Sequence, residues 1–116
     1  LPHNHSRDAV VYSGTHDNNT TLGWFQSLNA EQKNRVLNYL AWPGEPMPWP
    51  IIKSALASPS RWAILPMQDL LTLGADHRMN TPGTTEGNWK WRFGWQQVND
   101  NLTTYLNSLN RLYNRI

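Results

Sequence analysis

The residues best suited to chemistry lie in one segment, Tyr12 to Thr21, where an imidazole and a carboxylate, His16 and Asp17, are adjacent among hydroxyl and amide side chains. An uncharged run, Ala9 to Tyr12, precedes them and predicts a strand buried on both faces of a parallel sheet, which Gly14 ends. Parallel sheets bind their ligands at the carboxyl ends of the strands. The segment therefore predicts the edge of an active site.

A second apolar run, Trp62 to Leu65, predicts another buried strand, which the following proline ends because proline has no N–H for a sheet ladder. Helical patterns separate the two runs, and strands joined in this way pair in parallel through a right-handed crossover. Gln68 and Asp69 are therefore expected on the same carboxyl edge as the first polar segment. For Asp69 we expect a helix cap or an ion pair with Arg78 or Arg92.

Two helices are expected directly after the first polar segment. Asp17 or Asn18 is placed to cap the first, because a side-chain oxygen there accepts from the free amides of the opening turn. Asn29 and Gln32 have the spacing of a capping box and predict the start of the second.

The stretch Trp42 to Pro50 holds four prolines and predicts a rigid surface loop. Ile51 to Ala57 predicts a third helix, with Pro50 at its first position. A long amphipathic helix is expected from Gln96 onward. Its apolar residues recur at spacings of three and four: Val98, Leu102, Tyr105, Leu106, Leu109, Leu112, Tyr113 and Ile116.

The loop from Gly74 to Arg92 is long enough to predict a functional segment. At its end Trp89, Trp91, Phe93 and Trp95 alternate at the period of a strand, which would place the aromatic rings on one face. Flat aromatic rings suit the apolar faces of pyranose sugars, whose hydroxyls then pair with polar side chains. The sequence holds seven tryptophans, most of which are expected to serve packing.

Four ordered segments carry a resemblance to a known family, and together they extend over nearly the whole chain. They resemble motifs of the 4-α-glucanotransferases, also called amylomaltases, of glycoside hydrolase family 77. The segments are Gly14-Thr15-His16-Asp17-Asn18 with Thr20-Thr21-Leu22-Gly23-Trp24, Leu65-Pro66-Met67-Gln68-Asp69-Leu70-Leu71, Arg78-Met79-Asn80-Thr81-Pro82-Gly83-Thr84, and Gly87-Asn88-Trp89-Lys90-Trp91-Arg92.

The resemblance implies an α/β fold that is the C-terminal fragment of a TIM (β/α)8 barrel: the last two strands with their helices, ending in the long amphipathic helix. A complete barrel needs about 250 residues, so residues 1–116 would be the C-terminal portion of a single catalytic barrel domain and not a complete domain. The rest of that barrel is then the chain's first partner. The family's nucleophile and acid/base come from earlier strands, so the chain alone is expected to be inactive.

The resemblance also implies the activity, which is transfer of α-1,4-glucan segments between maltooligosaccharides or starch by a retaining double-displacement mechanism. Asp17 would stabilise the transition state and His16 would hold a hydroxyl of the same sugar ring. No cofactor and no metal are implied. The residues expected to bind substrate are Asn18, Gln68, Asp69, Arg78, Asn80, Trp89 and Arg92.

Two other classes remain open from the residues alone. The aromatic side chains also fit a non-catalytic carbohydrate-binding module, and His3 with His5 and a strand-end aspartate fits a metal-dependent barrel hydrolase. Composition excludes other partners. The net charge is only +2 with scattered basic residues, which is not the pattern of a nucleic-acid-binding protein. No apolar run approaches the roughly 18 residues of a membrane span. A cytoplasmic location is expected, or a plastid if the source is a plant.

Overall fold

The computed structural model describes all residues from 1 to 116, and none of its helices has the length and apolarity needed to span a membrane. The fold is a small parallel sheet packed against helices. The strands are β1 (Val10–Tyr12) and β2 (Trp62–Ile64), and the α-helices are α1 (Thr21–Ser27), α2 (Ala30–Tyr39), α3 (Trp49–Ala57), α4 (Met67–Leu70) and α5 (Asp100–Leu112). Single 3-10 turns lie at Pro2–Asn4, Ala75–His77 and Trp95–Gln97.

The two strands pair in parallel, with Val11 opposite Ala63 at the centre of the register. Helices α1, α2 and α3 lie between them in the chain, so the predicted parallel crossover is confirmed. Each strand is shorter than its apolar run. β1 ends directly before its polar segment and β2 ends four residues before Gln68, so both polar segments leave the same edge of the sheet.

Only one face of the sheet is covered. Val11 is 4% exposed, whereas Val10, Tyr12, Trp62 and Ile64 are 42–65% exposed on what is called here the open sheet face. The prediction of strands buried on both faces is therefore wrong for this chain taken by itself. Alternate residues of a strand point to opposite faces, and this chain supplies a helical layer to only one of them.

The core lies between α3 and α5. It is built from Ile52 and Leu56 of α3 and Leu109 of α5, each no more than 4% exposed. Ala63 from β2 and Tyr105 from α5 pack against this cluster. The sheet edge that carries the polar segments therefore rests on a helical layer provided by the same chain.

Two helix starts differ from prediction because other residues cap them. Helix α1 begins at Thr21, and its cap is Thr20, whose hydroxyl accepts from the amide of Gly23. Helix α5 begins at Asp100, four residues after Gln96, because the side chain of Asn99 accepts from the first turn. Gln96, the predicted start of this helix, belongs to the 3-10 turn at Trp95–Gln97.

The second helix starts as predicted, with Asn29 and Gln32 forming a reciprocal capping box. The proline-rich stretch differs from prediction. Helix α3 already begins at Trp49, with Pro50 in its first turn, and both Met47 and Pro50 are buried. The stretch is therefore a partly buried connection and not a surface loop.

A charged cluster joins this connection to both core helices. Glu45 forms an ion pair with Lys53 of α3 and accepts a hydrogen bond of 2.6 Å from the hydroxyl of Tyr105 in α5. Burial raises the pKa of Glu45, but the hydrogen bonds from Lys53 and Tyr105 outweigh burial and hold that pKa below its usual value. The hydrogen bond to Glu45 raises the pKa of Lys53, and burial raises the pKa of Tyr105.

Arg115, just beyond α5, ties the end of α3 to the start of β2. Its guanidinium donates to the carbonyls of Leu56, Ser58, Ser60 and Arg61 at 2.8–3.0 Å. The last carbonyls of a helix have no partner within the helix, and a cation there is favoured by the helix dipole. No local pattern in the sequence predicts this contact.

Candidate functional site

An open cleft of about 530 Å³ lies at the carboxyl ends of β1 and β2. One wall comes from the 12–20 segment without Ser13 and Asp17, a second from four residues of the 64–69 segment, and a third from the loop that holds Arg78, Met79 and Trp89. The prediction that the two polar segments meet at one edge is confirmed. The third wall shows that the long loop after Gly74 folds back over the same edge.

His16 lines this cleft, and Asp17, which stands between the lining residues His16 and Asn18, does not itself line it. His16 Nε2 is 3.2 Å from Asp17 Oδ2, and both side chains are about half exposed. The other carboxylate oxygen, Oδ1, accepts a hydrogen bond of 2.8 Å from the Asn80 side-chain amide. Arg78 donates to the backbone carbonyl of Asp17 at 3.1 Å. The carboxylate is therefore held on two sides while one flank stays open to solvent.

The hydrogen bonds from Arg78 and Asn80 to Asp17 join two loops that are distant in sequence, since the bonded residues are 61 and 63 positions apart. Arg78 belongs to the third wall and Asn80 follows it in the same loop, while Asp17 lies in the segment that forms the first wall. Arg78 has no carboxylate within ion-pair distance, so its charge is available to the cleft that it lines. The predicted substrate residues Arg78 and Asn80 are thus brought together with Asp17.

Trp89 covers His16. The two ring centroids are 4.9 Å apart with an interplanar angle of 38°, and Trp89 lines the cleft while remaining mostly exposed. The backbone of Trp89 has φ of 62°, a left-handed conformation that is rare for a bulky residue. Its amide donates to the carbonyl of Met79 at 2.7 Å, which closes the loop beneath the ring. Ala41, Trp42, Thr72 and Asn114 have similar φ values outside the cleft, so this conformation orients the ring and is not by itself a sign of function.

Asn18 and Gln68 also line the cleft, but each has a structural contact as well. The side-chain oxygen of Asn18 accepts from the amide and hydroxyl of Thr15, which fixes the turn before Asp17. Gln68 is buried and donates to the carbonyl of His77 at 3.2 Å. The prediction that Asn18 caps a helix is therefore wrong.

For Asp69 the ion-pair alternative is wrong, while the helix-cap alternative is met in part, because its Oδ1 accepts from the Thr21 amide that opens α1. The Asp69 side chain is 1% exposed and forms no ion pair with Arg78 or Arg92. The carboxylate instead accepts hydrogen bonds from Ser13 and from Thr21. The ion-pair prediction is wrong because polar groups at the end of β1 and the start of α1 lie closer than either arginine. Its oxygens are occupied, so direct binding of substrate is not what this geometry favours.

Arg92 lies outside the site. It is exposed, is absent from the cleft lining and makes no hydrogen bond or ion pair. The predicted strand-like alternation of the last aromatic residues is also wrong, because residues 88–94 form no strand. Trp91 stacks on Phe93, and Phe93 meets Trp95 edge to face, with ring centroids 5.7 and 5.3 Å apart, whereas Trp89 lies apart from them on His16.

The two histidines that suggested a metal site have other contacts. His3 lies 2.6 Å from the hydroxyl of Tyr39, and His5 lies 3.1 Å from that of Ser58. No three histidine, cysteine, aspartate or glutamate side chains come close enough together to hold a metal ion. The hypothesis of a metal-dependent hydrolase therefore has no support in this geometry.

Ser13 and Thr21 are functional candidates that the sequence does not single out. Hydroxyl residues are common beside any strand end, and only the fold shows that both contact Asp69, 56 and 48 residues away. The polar crowding of residues 13–21 was the single available signal.

Comparison with known proteins agrees with the motifs. The family model described as 4-alpha-glucanotransferase matches residues 1–97. A 4-alpha-glucanotransferase of Synechocystis is 48% identical over 117 residues, which cover 99% of this chain and 23% of that protein. The chloroplastic/amyloplastic enzyme of Arabidopsis thaliana is also 48% identical, over 100% of this chain and 21% of its own length. The chain thus spans less than a quarter of these relatives.

A solved structure gives the same result. The amylomaltase from Streptococcus agalactiae in complex with acarbose superposes with a TM-score of 0.93 at 39% identity, covering 98% of this chain and 23% of its own. The expected resemblance is therefore confirmed at the level of sequence and fold, and the chain belongs to the 4-alpha-glucanotransferase family, glycoside hydrolase family 77.

Proposed function

We propose that this chain is the C-terminal part of a 4-α-glucanotransferase that transfers α-1,4-glucan segments between maltooligosaccharides or starch chains. The observation that carries the proposal is the contact of Asp17 with His16, which lines a strand-end cleft, together with the hydrogen bond by which Asn80 holds one carboxylate oxygen of Asp17. Family membership and the acarbose bound to the Streptococcus amylomaltase support a glucan as the ligand.

In this proposal Asp17 stabilises the transition state. Cleavage of a glycosidic bond develops positive charge on the sugar ring, and a fixed carboxylate favours that state over the neutral ground state. The hydrogen bond from Asn80 and the contact with His16 hold the charge in place before the substrate arrives. A preorganised charge needs no rearrangement at the moment of reaction.

The neighbouring side chains are suited to hold the sugar. His16 and Arg78 offer donors to ring hydroxyls, and Trp89 offers a flat apolar face. Asn18 and Gln68 each fix a wall of the cleft with one polar atom, Asn18 Oδ1 and Gln68 Nε2, and each keeps a second polar atom for a sugar hydroxyl. A glucan is proposed to enter along the mostly open side of the cleft, next to Trp89.

The remainder of the catalytic domain is the proposed partner of the open sheet face. We place β1 and β2 as the last two strands of a TIM barrel, with the open face turned toward the barrel interior. A retaining mechanism requires a carboxylate nucleophile and a carboxylic acid about 5–5.5 Å apart. We propose that both lie outside these 116 residues, and that the enzyme acts in the cytoplasm, or in the plastid if it comes from a plant.

The test is product analysis of the full-length protein with maltotriose. Transfer yields glucose together with oligomers longer than maltotriose, whereas hydrolysis yields glucose and maltose alone. A binding module yields no product. Longer oligomers are expected, and their absence at an enzyme concentration that binds maltotriose would refute the proposed activity.

A further inference from the structure

Asp69 is the most deeply buried acidic side chain of the chain, yet it has no basic partner. All of its hydrogen bonds come from two residues. Ser13 Oγ and Thr21 Oγ1 each donate to Oδ2 at 2.6 Å, and the Thr21 amide donates to Oδ1 at 2.9 Å. Both hydroxyl bonds lie at the short end of the range for O–H···O hydrogen bonds, so this cluster is a firm junction.

The two donors mark the ends of the segment that carries the proposed chemistry. Ser13 follows β1, Thr21 opens α1, and residues 14–20 between them include His16 and Asp17. The Thr21 hydroxyl lies 3.3 Å from the carbonyl of Ser13, so the ends of the segment also touch each other. One carboxylate from the end of the next strand thus closes the base of this loop.

The only other hydrogen-bonding contact between the loop ends is the longer one, 3.3 Å, between the Thr21 hydroxyl and the Ser13 carbonyl. Within the loop, Asn18 bonds only to Thr15, and the outer contacts to Asp17 come from Arg78 and Asn80 on another loop. Those outer contacts are exposed to solvent, while the contacts at the base are buried. The direction in which Asp17 leaves the sheet is therefore set mainly at the base.

We propose that Asp69 is a positioning residue for the transfer reaction. It does not touch the sugar, and it holds the ends of the 14–20 loop so that the Asp17 carboxylate stays aligned with the reacting ring. This inference rests on the proposed function. It replaces the expectation that Asp69 binds substrate or pairs with an arginine.

The decisive variant is Asp69→Asn in the full-length enzyme. Asparagine preserves volume and can still accept from the Thr21 amide, but its NH₂ group cannot accept from the two hydroxyls. We expect kcat on maltotriose to fall about 10-fold with KM changed less than about 3-fold, because alignment at the transition state is lost and ground-state binding is not. Thr21→Val removes one of the same bonds, and Thr21→Ser should restore most of the kcat that it loses.

The control is non-additivity with Asp17. A residue that acts through Asp17 has little left to align once that charge is gone, so Asp17→Asn/Asp69→Asn should be less than about 2-fold slower than Asp17→Asn. A residue that only stabilises the fold would lower both backgrounds by the same factor. An equal drop in both backgrounds, or an unchanged kcat in Asp69→Asn, would overturn the inference.

Amide hydrogen exchange provides a readout that does not depend on activity. Asp69→Asn should speed exchange in residues 14–21 at least about 10-fold, with little change in α3 and α5. Unchanged exchange in that loop would refute the junction even if the enzyme proved to catalyse another reaction. If wild-type enzyme transfers no glucan while the loop does respond, the proposed function fails and the junction stands.

Discussion

Gly23 lies in the first turn of α1 at a point where another segment comes unusually close. A Cβ built on Gly23 would lie 2.8 Å from the amide nitrogen of Ala75, 2.9 Å from its Cα, and 2.5 Å from the side-chain oxygen of Asn19. Real Cβ atoms almost never approach other atoms within 3.0 Å. Two of these neighbours are backbone atoms, which cannot rotate away as a flexible side chain does.

Gly23→Ala is therefore expected to destabilise the helix, which is the opposite of the usual effect of this substitution. Alanine in place of glycine in a helix normally stabilises by up to about 1 kcal/mol. Overpacking a tight contact costs about 1–3 kcal/mol, and backbone neighbours place this site in the upper part of that range. The net expectation is a loss of about 1–2 kcal/mol, which corresponds to about 5- to 30-fold faster exchange of the α1 amides.

The assay is amide hydrogen exchange of full-length Gly23→Ala against wild type, with Gly44→Ala as the matched control. Gly44 has no atom within 4 Å of its built Cβ, and its φ is not positive. Its alanine variant should leave exchange unchanged or slightly slower. Slower exchange of α1 in Gly23→Ala would show that the turn at Ala75–His77 yields easily and that the close approach is unimportant. That turn leads into Arg78, so the activity is expected to fall as well.

The remaining predictions concern the rest of the fold. The lowered pKa of Glu45 and the raised pKa values of Lys53 and Tyr105 predict that the melting temperature holds between about pH 5 and pH 9.5. The melting temperature should fall as acid protonates Glu45 and as alkali deprotonates Lys53 and Tyr105. Glu45→Gln should weaken both falls, and an unaltered dependence of melting temperature on pH in that variant would contradict the role of the cluster. Arg115→Met is expected to cost about 2–3 kcal/mol in denaturant unfolding by leaving several partly buried carbonyls unpaired. Arg61→Met, which loses one exposed ion pair of 3.7 Å, should cost under about 1 kcal/mol, and equal costs would remove the helix-end role. The isolated 116-residue chain, with its open sheet face in water, is expected to bind a hydrophobic dye and to transfer no glucan; a sharp reversible transition without dye binding would contradict this.

The sequence predicted the features that depend on local pattern. Uncharged runs followed by polar residues were enough to place β1 and β2 side by side with one shared edge, and the spacing of Asn29 and Gln32 was enough to locate α2. The exposure of Val10 and Tyr12 could not be predicted from the run itself. Whether a parallel strand is covered on both faces depends on layers that its own residues do not specify.

Local sequence patterns could not predict the contacts between residues that are far apart in the chain. From the sequence, Asp69 could pair with an arginine or accept hydrogen bonds from hydroxyl groups. It contacts the hydroxyl groups because the end of β1 and the start of α1 meet beside it in the fold. Trp89 was assigned to a regular alternation, but its left-handed φ turns it out of that period and onto His16. Nothing in the sequence indicated that Arg115 donates to the carbonyls at the end of α3, because that contact forms only in the folded chain.

The most direct test of the central claim is steady-state kinetics of Asp17→Asn in the full-length enzyme with maltotriose as donor and acceptor. The substitution keeps the size of the side chain and removes its charge, so the electrostatic contribution of about 3 kcal/mol should be lost, and kcat should fall about 100-fold or more. KM should change by less than about 3-fold, and Asp8→Asn, an exposed acid before β1, should retain wild-type rates. A kcat within about 3-fold of wild type in Asp17→Asn would show that this carboxylate does not stabilise the transition state.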